Sequence, residues 1–283
     1  MIKKNVIGSI APFAWYGGKQ RIAHKIIKIL PKHKVYVEVF GGSGAVLFAK
    51  NPNVSELEVY NDIDKNVYTF FKVLRDKNKA NELVRMLELT PYSRDMHKEA
   101  KEMLEKTNDD LMRAYYFFVN VEMGFSGSLN AGFSYSIKDK IDVKRFRNKV
   151  DKLELFSDRL KYVQIENIDF AELINKYDTQ DTLFYLDPPY VADTRRTFND
   201  YKHELNNDRH KELVDMLLNI KGNAVLSGYN NDIYKPLTDA GWNRYEIKTH
   251  CMSSNSKNTN NKRESRIEVL WIKNETPQNL FSI

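Results

Sequence analysis

The chain has 283 residues, enough for one large α/β domain carrying an insertion or for two domains of ordinary size, with a substantial core in either case. Its single cysteine, Cys251, excludes an internal disulfide and a multi-cysteine zinc site, so a reducing compartment, the cytoplasm, is the simplest setting. Lys and Arg number 44 against 38 Asp and Glu, a formal net charge of +6 that suits a polyanionic partner without requiring one, and no apolar run is long enough to span a membrane.

The opening MIKKNVIGSIAPF has two lysines but no apolar stretch behind them, so no export leader is predicted. Residues 18–30 then carry Ile22, Ile26, Ile27 and Leu30 at helical spacing, and Pro31 ends the stripe. VYVEVF, residues 35–40, is a β-branched and aromatic run that predicts a strand. It is followed by the turn GGSG, a helix opening on AVLFAK, and a second strand, LEVYND, at residues 57–62. From residue 64 to about residue 159 the strand signal fades, and charged helix-periodic stretches such as KANELVRMLEL and SRDMHKEAKEMLEK take over. Alternation resumes with YVQIENIDF, the helix AELINKYD, the strand TLFYLDPPY, the helix DRHKELVDMLLNIKG, and the strands NAVLSGY and IEVLWIK. The predicted fold is an α/β, doubly wound sheet built from residues 1–75 and 160–283, interrupted by a mainly helical insertion over residues 76–159. The polar stretch SSNSKNTNNKRES, residues 253–265, reads as a loop.

FGGSG, residues 40–44, sits where a predicted strand meets a predicted helix. Open parallel sheets bind nucleotides there, because glycine lets the backbone approach a ligand and the helix N-terminus favours negative charge. A plain tight turn fits the same five residues. The absence of G-x-G-x-x-G and of G-K-[ST] argues against dinucleotides and against ATP hydrolysis. Asp62 ends the next strand, where a carboxylate either accepts from both hydroxyls of a ribose or caps the helix behind it. NIDF, residues 167–170, puts an acid and an aromatic at another strand end, suited to an adenine amine and ring, although Asp169 equally fits an N-cap.

DPPY, residues 187–190, is the most specific signal. Two prolines cannot continue a sheet ladder, so the strand stops and presents a carboxylate, freed backbone carbonyls and an aromatic face on one rigid stub. Those parts can hold a flat exocyclic amine, with acceptors for its two N–H groups and a ring to stack on its base.

With these elements in place, the chain resembles the Dam-type, D12-class family of DNA adenine-N6 methyltransferases. WYGGK, residues 15–19, is similar to the family's W-x-G-G-K element, FGGSG to its methionine-donor loop, YNDID to its ribose-binding strand end, NIDF to its adenine pocket and DPPY to its catalytic motif. A donor loop that precedes DPPY, with the insertion between them, resembles the α arrangement. The resemblance implies a Rossmann-like methyltransferase sheet with an inserted target-recognition domain, S-adenosyl-L-methionine as donor and no metal. It implies donor contacts from Trp15, Tyr16, Gly17, Lys19, Phe40, Gly41, Gly42, Ser43, Gly44, Asp62, Ile63, Asp169, Phe170 and Asp187. Catalysis would fall to Asp187, Pro188, Pro189 and Tyr190, acting on an adenine flipped out of double-stranded DNA. DNA contacts are expected from Lys19, Phe125 as a wedge into the base stack, Ser126, Asn130, Arg145 and Arg147, and from Ser254, Asn255, Lys262 and Arg263 near the C-terminal SSN element.

Two departures from the family pattern stand out. In NVEMGFSGSLNAGFSYS, residues 120–136, Asn130 stands where GATC-reading relatives carry arginine, and Tyr16 is bulkier than the residue usual in W-x-G-G-K. Arginine reads guanine bidentately whereas asparagine pairs with adenine, so a site other than GATC is expected. Residues 131–163 hold nine Lys or Arg against five acids, a cluster suited to phosphates although each lysine singly fits a solvated helix face. RNA adenine methylation and a noncatalytic DNA-binding relative remain alternatives, while N4-cytosine methylation is disfavoured because serine usually replaces the acid at the position of Asp187. A cognate restriction endonuclease acting separately is a compatible partner, and no membrane partner is expected.

Overall fold

The computed structural model describes residues 7–8, 10–191, 205–250 and 265–273. Its centre is a seven-stranded sheet made of β1 (Val35–Glu38), β2 (Leu57–Asn61), β3 (Gln164–Glu166), β4 (Thr182–Leu186), β5 (Asn223–Gly228), β6 (Asn243–His250) and β7 (Ser265–Lys273). The spatial order is β3-β2-β1-β4-β5-β7-β6. The first five strands pair in parallel, and β7 runs antiparallel to both β5 and β6. Because β1 pairs with β2 on one side and with β4 on the other, the winding reverses between β1 and β4, which opens a crevice beyond their carboxyl ends.

The period of two along each strand divides the core. Tyr36, Tyr60, Leu183 and Tyr185 enter one apolar cluster, and Val37, Val59, Phe184 and Leu186 enter the other. All five residues of β4 are buried, so TLFYL carries no polar alternation. The first face is covered by α1 (Ala23–Lys28), α2 (Ala45–Ala49) and six helices of the chain between β2 and β3. These are α3 (Lys65–Arg75), α4 (Lys77–Leu89), α5 (Arg94–Leu104), α6 (Asp110–Met123), α7 (Ile141–Val150) and α8 (Leu153–Leu160). The second face is covered by α9 (Phe170–Tyr177), α10 (Asn207–Asn219) and α11 (Lys235–Asp239). Short polar side chains start the inserted helices: Asp76 accepts from Asn78 and Lys79 backbone N–H groups, Ser93 from Met96 and Asp109 from Met112. α6 is buried without a break over residues 114–123, which makes it the axis on which the other inserted helices pack.

Two elements differ from expectation. The helical stripe of residues 18–30 is regular helix only over Ala23–Lys28, because residues 15–22 form turns closed by Gly18 N–H to Trp15 O and Ile22 N–H to Lys19 O. β6 was not anticipated. It is an edge strand whose Arg244, Glu246 and Lys248 are exposed charges, a pattern that protects an edge from pairing but hides it from an apolar reading.

At the end of the sheet away from the crevice, Glu58 lies between two buried cations. Its carboxylate is 2.9 Å from Lys50 Nζ and 2.5 Å from an Arg159 terminal nitrogen, and none of the three residues is more than 4% exposed. Lys50 also donates to Ser55 Oγ and lies 4.9 Å from the centre of the Tyr36 ring. Removing the anion strands two buried positive charges, so Glu58→Ala is expected to lower stability by about 3–5 kcal/mol in urea unfolding. A loss below about 1 kcal/mol would show that the triad is solvated or dispensable.

Candidate active site

The site is assembled from strand ends. β1 runs through Val39, whose N–H donates to Tyr185 O at 2.9 Å, into the turn at residues 40–44. Gly42 and Gly44 have φ of 48° and 65°, a region costly for other residues, and a Cβ on Gly41 would lie 2.1 Å from the Tyr60 ring. Tyr60 OH donates to Gly42 O at 2.5 Å, and Gly42 N–H donates to Asp62 Oδ2 at 2.7 Å. The other Asp62 oxygen accepts from Asp64 N–H at 2.8 Å, and Asp64 itself, not Asp62, caps α3. Asn61 joins three segments: its Nδ2 donates to Val39 O and Ile168 O, and its Oδ1 accepts from Ile168 N–H. Asn167 Nδ2 donates to Asp62 O at 2.6 Å, which holds the 167–169 loop beside the glycine turn.

These segments enclose a cavity of about 260 Å³. Of the expected donor-site residues, Trp15, Tyr16, Gly17, Lys19, Phe40, Gly41, Gly42, Ser43, Asp62, Ile63, Asp169, Phe170 and Asp187 line it. Gly44 does not line it and serves instead as the left-handed N-cap of α2. Phe40 and Phe170 face each other with ring centres 5.7 Å apart. Asp169 accepts from Ala171 N–H as the cap of α9, and its other oxygen pairs at 2.5 Å with Arg209, whose guanidinium stacks 4.3 Å from the centre of the Phe170 ring. Arg209 was not among the expected residues; one charge in a polar helix start carries no signal of its destination.

DPPY follows β4 directly. Asp187, Pro189 and Tyr190 line the cavity, whereas Pro188 does not. Lys19 Nζ lies 2.7 Å from both Asp187 oxygens, donates to Tyr190 OH at 2.7 Å and to Gly17 O at 3.1 Å, and sits 3.6 Å from Glu268 Oε1. That same Glu268 oxygen accepts from Tyr190 OH and from Ser227 Oγ. Glu268 and Ser227 were also missed, although an acid inside the apolar run IEVLWIK was a legible sign of a buried partner.

Burial raises three carboxyls of the cavity wall. Asp187 is pushed up to about 6, with Lys19 pulling against burial and Glu268 adding to it. Asp62 reaches about 7, and Glu38, which accepts from Tyr36 OH at 2.7 Å, reaches about 8. Burial disfavours the Lys19 charge, but Asp187 and Glu268 outweigh it and raise its pKa.

Gly127, Ser128 and Leu129 of the inserted segment also line the cavity. The loop holding them is closed by a bridge between Gly124 and Phe133, and Ser126 within it has φ of 61°. Phe125 is 56% exposed at its tip, Ser126 and Asn130 are exposed, and the Asn130 carbonyl accepts from Lys101. Arg145 pairs with Asp142 at 3.1 Å and keeps an exposed flank. The Arg147 guanidinium donates to the carbonyls of Leu87, Glu88 and Thr90 and so caps the C-terminus of α4. Exposed Arg94, which was not anticipated, lies 5.1 Å and 5.3 Å from the ring centres of Phe133 and Tyr135. Ser254, Asn255, Lys262 and Arg263 lie outside the described residues.

Comparison with known proteins bears on this arrangement directly. The modification methylase LlaI of Lactococcus lactis subsp. lactis is 27% identical over 209 residues, covering 71% of this chain and 32% of that protein, so the chain spans about a third of its length. Type II methyltransferase M.MjaIII of Methanocaldococcus jannaschii is 27% identical over 265 residues, covering 81% of this chain and 88% of that one. The DNA adenine methylase of Vibrio cholerae is 23% identical over 195 residues, covering 66% and 68% of the two chains. Residues 15–252, from the tryptophan at the cavity wall through the glycine turn, the inserted helices and DPPY, match one family throughout, and the chain belongs to the D12 class of N6 adenine-specific DNA methyltransferases.

Proposed function

We propose that this D12-class methyltransferase binds S-adenosyl-L-methionine in the crevice cavity and methylates N6 of an adenine flipped out of double-stranded DNA. The observation that carries the reading is that Asp187 and Tyr190 share one cavity wall with the glycine turn, Asp62 and the Phe40–Phe170 pair. The donor set fits the ligand: aromatic faces for a purine, a carboxylate for a ribose diol, and several acids around a cation. When bound, the donor supplies an electrophilic methyl on a positively charged sulfur.

The chain's own residues supply the rest. The adenine amine is a poor nucleophile because its lone pair is delocalised into the ring. Asp187 and the Pro188 carbonyl accept its two N–H groups, draw it towards tetrahedral geometry and aim the lone pair into the cavity. Tyr190 stacks on the extruded base and offsets part of the few kcal/mol that flipping costs. Residues 1–75 and 160–283 carry this chemistry, and residues 76–159 read the target. There Phe125 enters the base stack, Asn130 meets base edges, and Arg94 on its two aromatic rings joins Arg145 at the DNA backbone. A relative named a modification methylase extends the proposal to a separate restriction endonuclease of matching specificity, in the cytoplasm. Among the described residues, no helix is long and apolar enough to cross a membrane.

Incubation with mixed-sequence DNA and donor, followed by sequencing for N6-methyladenine, tests the function. Modification of adenine in a context other than GATC is expected, since an amide cannot offer guanine the paired donors of a guanidinium, a difference of about 1–3 kcal/mol per base. Strict GATC modification would place the reader elsewhere than Asn130, and RNA-restricted activity would remove DNA as the substrate. Replacing the amine acceptor by Asp187→Ala should lower kcat roughly 10²- to 10³-fold with DNA affinity nearly unchanged. A variant that keeps most of its turnover rules out this mechanism.

The raised Asp62 carboxyl makes donor binding pH-dependent. Ribose hydroxyls donate to the ionised form, so binding below about pH 7 must expel a proton. Affinity is full above that pH and falls as pH drops through it, by up to about tenfold per unit. Glu38, Asp187 and Lys19 are ionisable groups of the same wall, so the diagnostic is Asp62→Asn, which is expected to weaken binding and flatten the slope. Calorimetric titrations giving the same slope for both proteins would take Asp62 out of the site.

A further inference from the structure

We propose that Glu268 is a positioning residue that draws Lys19 off Asp187 as the target adenine enters. The inference rests on the reading of Asp187 as amine acceptor. Lys19 Nζ is equidistant at 2.7 Å from both Asp187 oxygens, so the ammonium occupies the acceptor that an incoming amine needs. It is also a positive charge beside a nitrogen that becomes positive as the methyl arrives. Both difficulties are relieved if the ammonium shifts away from Asp187.

The pocket is built for that shift. Glu268 Oε1 lies 3.6 Å from Lys19 Nζ, and a movement of about 1 Å brings the pair into hydrogen-bond range. Glu268 is 5% exposed on β7, and its oxygen is held in place by Ser227 of the neighbouring β5 and by the Tyr190 hydroxyl. Tyr190 OH already accepts from Lys19, so it remains a partner on both sides of the movement. Two carboxylates therefore share one ammonium, and the base tips the share towards Glu268. Asp187 faces Lys19, Glu268, Tyr190, Tyr185 and Glu38, and Lys19 also feels Tyr229, so a change of charge at Glu268 registers on Asp187 through a short and known set of groups.

The test is Glu268→Gln, which can still accept from Ser227 and Tyr190 but lacks the charge. Single-turnover methylation should slow roughly 10- to 100-fold, the scale of one charge-assisted contact, with donor and DNA affinities within about threefold of the parent. In a Lys19→Met background the same substitution should add nothing, because Glu268 acts through that ammonium. In the ligand-free protein, carboxyl-carbon NMR should show Asp187 titrating at lower pH in Glu268→Gln, since a like charge has been removed. Glu268→Asp, which restores the charge, should recover part of the rate and covers the case in which the glutamine variant is poorly folded. Unchanged turnover in Glu268→Gln, rate losses that multiply with Lys19→Met, or an unmoved Asp187 titration would each overturn the proposal. The titration needs no substrate, so a parent protein that fails to methylate DNA would refute the functional reading, while the titration separately decides whether Glu268 couples to Lys19 and Asp187.

Discussion

The carboxyl edge of a parallel sheet leaves backbone groups without ladder partners, and the arrangement around Asn61 depends on how those groups are satisfied. The Asn61 side chain answers three of them at once, on Val39 and on both backbone polar groups of Ile168. A single carboxamide thereby fixes the distance between the glycine turn after β1 and the acid that opens α9. Asp62 continues the stitching through Gly42 and Asp64, so its carboxylate braces the turn while lining the cavity. A ligand entering this edge meets a preformed wall, which lowers the ordering cost of binding.

What could be read in advance was whatever the backbone itself dictates. A strand that ends on two prolines, a turn that needs positive φ at glycine, and apolar runs with period two or 3.6 are local facts, and β1, β2, β4, β5 and the inserted helices follow from them. Partners brought together by the order of the strands were not legible. Glu268 meets Lys19 because β7 inserts beside β5, and Arg209 reaches Asp169 because α10 begins next to α9's cap. Arg147 shows a structural role that a basic cluster hides: its planar fork matches three carbonyls at a helix end better than any lysine could.

The inserted helices do more than hold a loop over the site. They share one apolar cluster with a face of the sheet, so the insertion packs directly on it. Their grip extends to the segment before Lys19. Gly127 packs so tightly on it that a Cβ would lie 2.6 Å from the Ala14 carbonyl carbon, the Ala14 N–H donates to Glu122 of α6, and Lys149 of α7 donates to Ala11 O. The exposed loop around Phe125 is thus joined by a few tight contacts to residues only a few positions from Lys19.

The cavity's electrostatics follow from the same economy of space. Glu38, Asp62 and Asp187 crowd one wall, and burial pushes each towards its neutral form at about 8, 7 and 6. Within such a wall an added cation is worth more than in water, because it relieves desolvated negative charge that the fold cannot otherwise satisfy. Lys19 performs that service for Asp187, 2.7 Å from both of its oxygens. On the proposed reading, a positively charged donor in the cavity would repel the Lys19 ammonium and ease its hold on Asp187.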